Sequence, residues 1–337
     1  MHYHLSYCTN VHPCRSRHDL EKIISDEASS VRDQCGFDIG IGLWLPSAVI
    51  SEVAHDVDAT QSIANALDSR GLQCFSLNAF PFGDFHSERV KENVYLPDWS
   101  DVRRLNYTRL CSKFLAGILS GEHEGSISTL PLAYKRANRP QGFINTAIEQ
   151  LIQLARDLNA LHQDTGKMIR LAIEPEPFCI LETTLETIGF FEMMWDVADK
   201  NGIGNLVREH IGVCYDVCHQ AVEFEDAGTA VDQLATADIR INKVQISCAI
   251  ELDDPSNENS RRALATFAEP RYLHQTFGRQ SGGQIICDTD LSQELALHPP
   301  SDWQEAEVWR VHFHVPVDAD RLGPLRTTRP ELIRAIE

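Results

Sequence analysis

Short apolar strands alternate with amphipathic helical stretches along most of this chain, and that rhythm restricts the fold more than any other feature. Strands are expected over residues 2–10, 38–45, 72–80, 126–130, 168–174, 211–216 and 241–247. Between them fall helical stretches over 17–34 and 47–69, then longer runs over 102–119, 143–161 and 185–200 with apolar residues at helical spacing. Pro46, Pro81, Pro131, Pro177 and Pro316 come just after strands, where a chain must stop pairing and bend over a rim, and Gly71 marks a turn. Alternation of this length fits an α/β fold, one (β/α)8 TIM barrel spanning residues 1–337 as a single domain. An open doubly wound sheet is the rival, but Gly40-Ile41-Gly42 lies inside a strand and lacks the remaining glycine of the nucleotide-binding turn.

Composition narrows the function. A chain of 337 residues with 43% hydrophobic residues can bury a large core. No apolar run approaches the roughly 20 residues of a membrane-spanning helix. The first residues lack the basic start and apolar stretch of a signal peptide, so a cytoplasmic location is expected. Ten cysteines without a Cys-x-x-Cys pair read as reduced, mostly buried thiols. The net charge of −19, from 30 basic and 49 acidic residues, argues against a nucleic-acid partner, because displacing the counterions of a phosphate backbone needs a dense positive footprint.

Four strands carry metal-type donors near their C-terminal ends. Residues 211–220 put Asp216 at the mouth of a strand and His219 one turn further on, a spacing that can hold a divalent cation. Upstream, the strand ending at Glu174 is followed by Pro175, Glu176 and Pro177. Downstream, residues 243–247 offer Gln245, and residues 311–316 offer His312 and His314 on one face, since side chains repeat every two residues along a strand. Two segments break the rhythm and are expected as long working loops, 80–100 and 250–307. Together with their flanks they bring His12, Asn78, His86, Lys91 and His274 forward as substrate-binding residues.

Each signal has a plainer reading. Glu174 could cap a helix or pair with an arginine, Gln245 could satisfy buried polar groups, and His12 and His86 could be solvated loop residues. Phe80, Phe82, Phe85 and Trp99 read better as packing than as substrate contacts. Cys214 and Cys218 are explained by apolar filling as well as by metal binding. Glu176 is either a supporting partner or merely exposed.

Glu at the end of the fifth strand, Asp-x-x-His at the sixth and a polar ligand at the seventh resembles the xylose-isomerase-like TIM barrels, a superfamily of sugar isomerases, epimerases and the endonuclease IV group. More narrowly, the strings at 7–13, 78–86, 126–131 and 312–316 resemble the EboE-like metabolite traffic proteins, which are associated with a small gene cluster handling secondary-metabolite precursors. The resemblance implies a divalent metal ion (Zn, Mn or Mg) held by Glu174, Asp216 and Gln245, with His219 beside them as a catalytic residue and His312 or His314 as further donors. It also implies a small-molecule metabolite as partner, with other proteins of the same gene cluster. Two departures stand out. Gln245 occupies a position where many relatives have His, and an amide is the weaker ligand for zinc-like ions. Relatives also continue into a final C-terminal strand carrying a Glu, whereas this sequence stops in a helix-like segment after Thr328.

Four functions follow as expectations. The first is an EboE-like protein that handles or transforms a small precursor. The second is a sugar (phosphate) isomerase or epimerase, in which Glu174 takes a proton next to a carbonyl. An endonuclease IV-like phosphodiesterase is weakened by the acidic charge and too few His ligands. A non-catalytic scaffold or carrier is the fourth, supported by Gln245 and the missing strand.

Overall fold

The β-branched apolar runs form one parallel sheet whose strands lie side by side in chain order: β1 (Ser6–Cys8), β2 (Gly40–Trp44), β3 (Cys74–Asn78), β4 (Gly125–Thr129), β5 (Ile169–Ile173), β6 (Ile211–Asp216) and β7 (Ile241–Gln245). The structure is a computed structural model and describes residues 4–121 and 123–337. The expected start of the first strand at His2 lies outside them. β5 and β6 are buried along their whole length, as continuous apolar strands covered on both faces should be. A Cβ at Gly40 would sit 2.9 Å from the Gln73 carbonyl and against the Phe75 ring, which explains a glycine inside β2.

Helices follow the strands much as the periodicity predicts. The stretch over 47–69 divides into Ser47–His55 and Val57–Ser69, because Asp56 leaves helical geometry and accepts from the backbone of Asp58 and Ala59 as an N-cap. Val102–Ile118, Phe143–Thr165 and Thr184–Lys200 carry the next three crossovers, the last opened by a capping box between Thr183 and Glu186. No helix among the described residues is long and apolar enough to cross a membrane.

The sheet curls. Strands spaced about 4.8 Å apart would set β4 and β7 roughly 14 Å apart in a flat sheet, beyond the reach of a lysine side chain. Lys243 of β7 nevertheless donates to Ser128 Oγ of β4 at 3.0 Å, so the wall wraps round a common interior.

The seven expected strands make the barrel wall, while the expectations for 250–307 and 311–316 need correction. The barrel wall has seven parallel strands, with no eighth among the described residues. The segment 250–307, expected as a loop, contributes instead to a second, antiparallel sheet of six strands: β8 (Ile250–Leu252), β9 (Thr276–Arg279), β10 (Ile285–Asp288), β11 (Val308–Val311), β12 (Arg321–Leu322) and β13 (Leu325–Thr327), in the order β10-β9-β11-β8-β13-β12. The strand expected over 311–316 is the end of β11, which pairs antiparallel with β8 and β9 and stops at Val311. Polar–apolar alternation reads alike in either kind of sheet, so the partner was not legible from it. Buried Arg310 fastens this sheet to the rest of the molecule, reaching Glu251 at 3.0 Å, Glu331 of the terminal helix at 3.1 Å and the Ala221 carbonyl at 2.8 Å.

The two excursions form one cap. Lys91 Nζ donates to the carbonyls of Glu269 and Tyr272 at 3.0 and 2.6 Å and to Asp290 at 2.6 Å, while the Val90 and Lys91 amides donate to the Arg271 carbonyl.

Candidate metal centre

Asp216 ends β6 and caps the short helix Val217–Val222. Its Oδ1 accepts from the Cys218 amide at 2.8 Å, the His219 amide at 3.2 Å and Ser247 Oγ at 2.7 Å. These bonds leave the buried Oδ2 without a partner. A carboxylate oxygen so placed is costly unless something positive meets it.

The imidazoles nearby supply the rest. His219, on the first turn of that helix, turns Nδ1 to the Pro175 carbonyl at 2.9 Å, an acceptor only, so Nδ1 carries the proton and Nε2 a lone pair. His312, just past β11, turns Nδ1 to Gln275 Oε1 at 2.7 Å, again an acceptor, and its Nε2 is bare for the same reason. The two bare nitrogens face each other at 3.2 Å. Two lone pairs this close repel unless a cation lies between them. Tetrahedral imidazole ligands at about 2.0–2.1 Å from one zinc-like ion would stand about 3.3 Å apart, close to the spacing found. Asp216 Oδ2 lies 3.9 Å from His219 Nε2 and 3.9 Å from His314 Nε2. Asp216, His219 and His314, Glu176, His219 and His312, and Cys218, His312 and His314 each form a group with ligand atoms within 4.8 Å of one another. An orphaned carboxylate oxygen among imidazole nitrogens fits a borderline divalent ion.

The other expected residues fall in four places. Glu174 follows β5 and lies buried inside the barrel with its Oε2 unpartnered, near Asp216, Lys243, Ser128 and Cys214, outside the three donor groups. Gln245 stands opposite Asp216 in the β6–β7 register, but Ser247, two residues on, supplies the hydroxyl that reaches Asp216. Asn78 is buried at the end of β3, its Oδ1 accepting from the Phe80 amide at 2.9 Å and Ser128 Oγ at 3.3 Å. The loop residues are tied into the protein: His12 Nε2 to Tyr7 Oη at 2.7 Å, His86 Nε2 to the Asn10 carbonyl at 2.8 Å, and Lys91 as described. His274 uses both ring nitrogens, on the His312 carbonyl at 2.9 Å and Glu269 at 3.0 Å. Sequence reasoning missed Gln275, Tyr95, Ser247 and the interior position of Lys243. Of these Lys243 and Ser247 left a signal, since both share the face of Gln245 on the strand expected over 241–247.

Burial sets the charges. It pushes the Glu174 carboxyl up to about 7, helped by the Asp216 charge and opposed by Lys243. It pushes Glu176 up to about 8 against the hydrogen bond from Tyr95. It holds His219 below its ordinary value and His312 well below it. Burial also works against an ionised Asp216, but the neighbouring His219 and His314 and the hydrogen bonds to Oδ1 outweigh it, leaving this carboxyl below its ordinary value.

A pH dependence follows. Burial holds His219 and His312 below the ordinary imidazole value of 6.5, and about one pH unit above that value the unfolded chain has also shed nearly all of its imidazole protons, so from there the carboxyls decide the slope. The folded values of Glu174 and Glu176 lie above the ordinary 4.5, so the folded protein keeps protons that the unfolded chain has shed. Their contribution to stability is present at low pH and is lost as pH rises through the folded values of about 7 and about 8. Metal-free protein, melted in the presence of a chelator, is therefore expected to lose thermal stability between about pH 7.5 and 8.5. A melting temperature that rises over that interval would contradict these proton assignments.

No protein-family model matches the chain, and no curated protein matches it. Among solved structures it is similar to an L-ribulose 3-epimerase, at 14% identity over 72% of this chain and 69% of that one, with a TM-score of 0.47. It is also similar to a xylose isomerase-like TIM barrel protein from Mycobacterium smegmatis in complex with magnesium, at 12% identity over 79% and 90% of the two chains and a TM-score of 0.47. A third is the IOLI protein with a bound zinc atom, at 11% identity over 70% of each chain and a TM-score of 0.40. The fold is an α/β barrel, a curled sheet of seven parallel strands in chain order with helices between them. The likeness is one of fold, and the narrower EboE-like resemblance finds no support among these structures.

Proposed function

We propose that this protein is a divalent-metal-dependent isomerase or epimerase that moves a proton at the carbon next to the carbonyl of a small hydroxylated substrate, a sugar or sugar phosphate. One observation carries the reading: the bare nitrogens of His219 and His312 and the orphaned Asp216 Oδ2 converge beside a buried carboxyl, Glu174, whose Oε2 has no partner. Asp216, His219, His312 and His314 would hold the cation, which when bound would supply positive charge to polarise a carbonyl oxygen. Glu174 takes the proton on Oε2 and delivers it to the neighbouring carbon of the enediol, the shift that isomerisation requires and a role suited to a carboxyl poised near neutrality. Lys243, held at Ser128, keeps the ionised form of Glu174 within reach. A secondary-metabolite precursor of the kind the EboE-like resemblance implies is one member of this substrate class.

The test is proton exchange with solvent. Ketopentoses and ketohexoses, free and phosphorylated, are incubated in D2O with the protein and zinc or manganese, and the proton signal next to the carbonyl is followed by NMR. The expected result is loss of that signal for at least one sugar, abolished by a chelator and restored by metal. Full metal occupancy without exchange on any member of the panel would favour the scaffold or carrier reading.

A further inference from the structure

The tautomer of His312 is set from outside the metal centre. Gln275 is fully buried and stands opposite His312 where the β9–β11 ladder runs on past its last strand pair, Val311 with Thr276. The His312 amide donates to the Gln275 carbonyl at 2.9 Å, so backbone and side chain hold the same cross-strand pair.

The nitrogen end of the Gln275 amide faces acceptors: with Tyr95 donating to Glu176 Oε1, the proton that burial keeps on this carboxyl sits on Oε2. Its Nε2 lies 3.0 Å from Tyr95 Oη, 3.2 Å from Glu176 Oε1 and 3.3 Å from the Pro177 carbonyl. Tyr95 spends its own proton on Glu176 Oε1 at 2.7 Å and so offers only a lone pair to Gln275. The Pro177 carbonyl can do nothing but accept. Turning the amide round would set its oxygen against these acceptors in a buried place, which costs the full desolvation of each unpaired group. The oxygen end is thereby fixed on His312 Nδ1.

We infer that Gln275, held by Tyr95, Glu176 and Pro177, is a positioning residue that keeps the proton of His312 on Nδ1 and presents a bare Nε2 to the cation. The inference rests on the proposed metal centre and extends it. It assigns Glu176 to the support rather than to the ion, although Glu176 Oε1 lies 3.7 Å from His312 Nδ1. A ring nitrogen committed to an outer acceptor orients the ligand and raises its basicity, and loss of such a partner commonly costs roughly 10–100-fold in metal affinity.

Two variants separate positioning from packing. Gln275→Leu keeps the bulk and removes the acceptor. Gln275→Glu keeps an oxygen for His312 Nδ1–H and, protonated in this buried place, donates from its hydroxyl toward Tyr95, Glu176 and Pro177. The His312 ring is identified in imidazole ¹⁵N spectra by its absence from His312→Ala, and zinc affinity is measured by competition with a chelating dye. In metal-free wild type the expected spectrum shows a protonated Nδ1 and a bare Nε2 on His312. Gln275→Leu should lose that preference and bind zinc roughly 10–100-fold more weakly, and Gln275→Glu should keep both the tautomer and an affinity within a few-fold of wild type. A wild-type His312 protonated on Nε2 overturns the inference without any variant, and so does a folded Gln275→Leu with unchanged tautomer and affinity. If wild type binds no zinc while its Nδ1 proton is fixed and is lost in Gln275→Leu, the metal reading fails and the positioning role stands.

Discussion

Gln at position 174 is expected to slow solvent exchange of the substrate proton by roughly 10²–10⁴-fold, the usual worth of a positioned general base, while zinc uptake stays within a few-fold of wild type. The amide matches the carboxyl in size and still fills the interior beside Ser128, but it cannot take a proton. Glu174 is not among the groups whose ligand atoms lie within 4.8 Å of one another, so the ion should not miss it. Exchange kinetics and metal content of Glu174→Gln, read together, decide its role. Loss of metal along with exchange would make Glu174 a ligand, as the strand-end pattern alone implies.

The second large effect belongs to Asp216→Asn. The side-chain oxygen of Asn can still accept from the Cys218 and His219 amides and from Ser247, so the cap of helix Val217–Val222 survives. What changes is the other end. The oxygen that now has no partner becomes an N–H₂ group aimed at the imidazole nitrogens, replacing a negative ligand by a donor that repels a cation. Zinc affinity should fall by more than the roughly 10–100-fold typical of a supporting residue, with an unaltered circular dichroism spectrum. Asp216→Ala is a poorer probe, because it also loses the cap, worth about 1 kcal/mol. Retention of tight zinc binding by Asp216→Asn would remove this carboxylate from the centre.

How much of this was legible in the sequence depends on whether a contact is local or distant. The barrel strands show because each is a short apolar run closed by proline or a turn, and β6 falls over Ile211–Asp216 as expected. Asp216 and His219 show because a strand end and the first turn of the next helix are three residues apart. The antiparallel sheet does not show, since alternation along residues 308–315 is satisfied by either kind of neighbour. For the same reason His312 could be foreseen as a donor but not its approach from outside the barrel wall. Gln275 had no local signature at all. Its meaning comes from a cross-strand register with His312, from Tyr95 in the loop after β3 and from Glu176 after β5, four segments brought together only by the fold. Gln245 shows how far strand position alone reaches: it stands opposite Asp216 in the register, while the polar contact to Asp216 is made by Ser247.

The most direct measurement is anomalous diffraction from crystals grown with zinc, recorded on either side of the zinc edge. The predicted result is a peak bonded to His219 Nε2, His312 Nε2 and Asp216 Oδ2 at about 2.0–2.2 Å, with His314 drawn in as a further ligand. A peak on Glu174 and Gln245 that leaves both imidazoles unliganded, or no peak among these residues at saturating zinc, would contradict it.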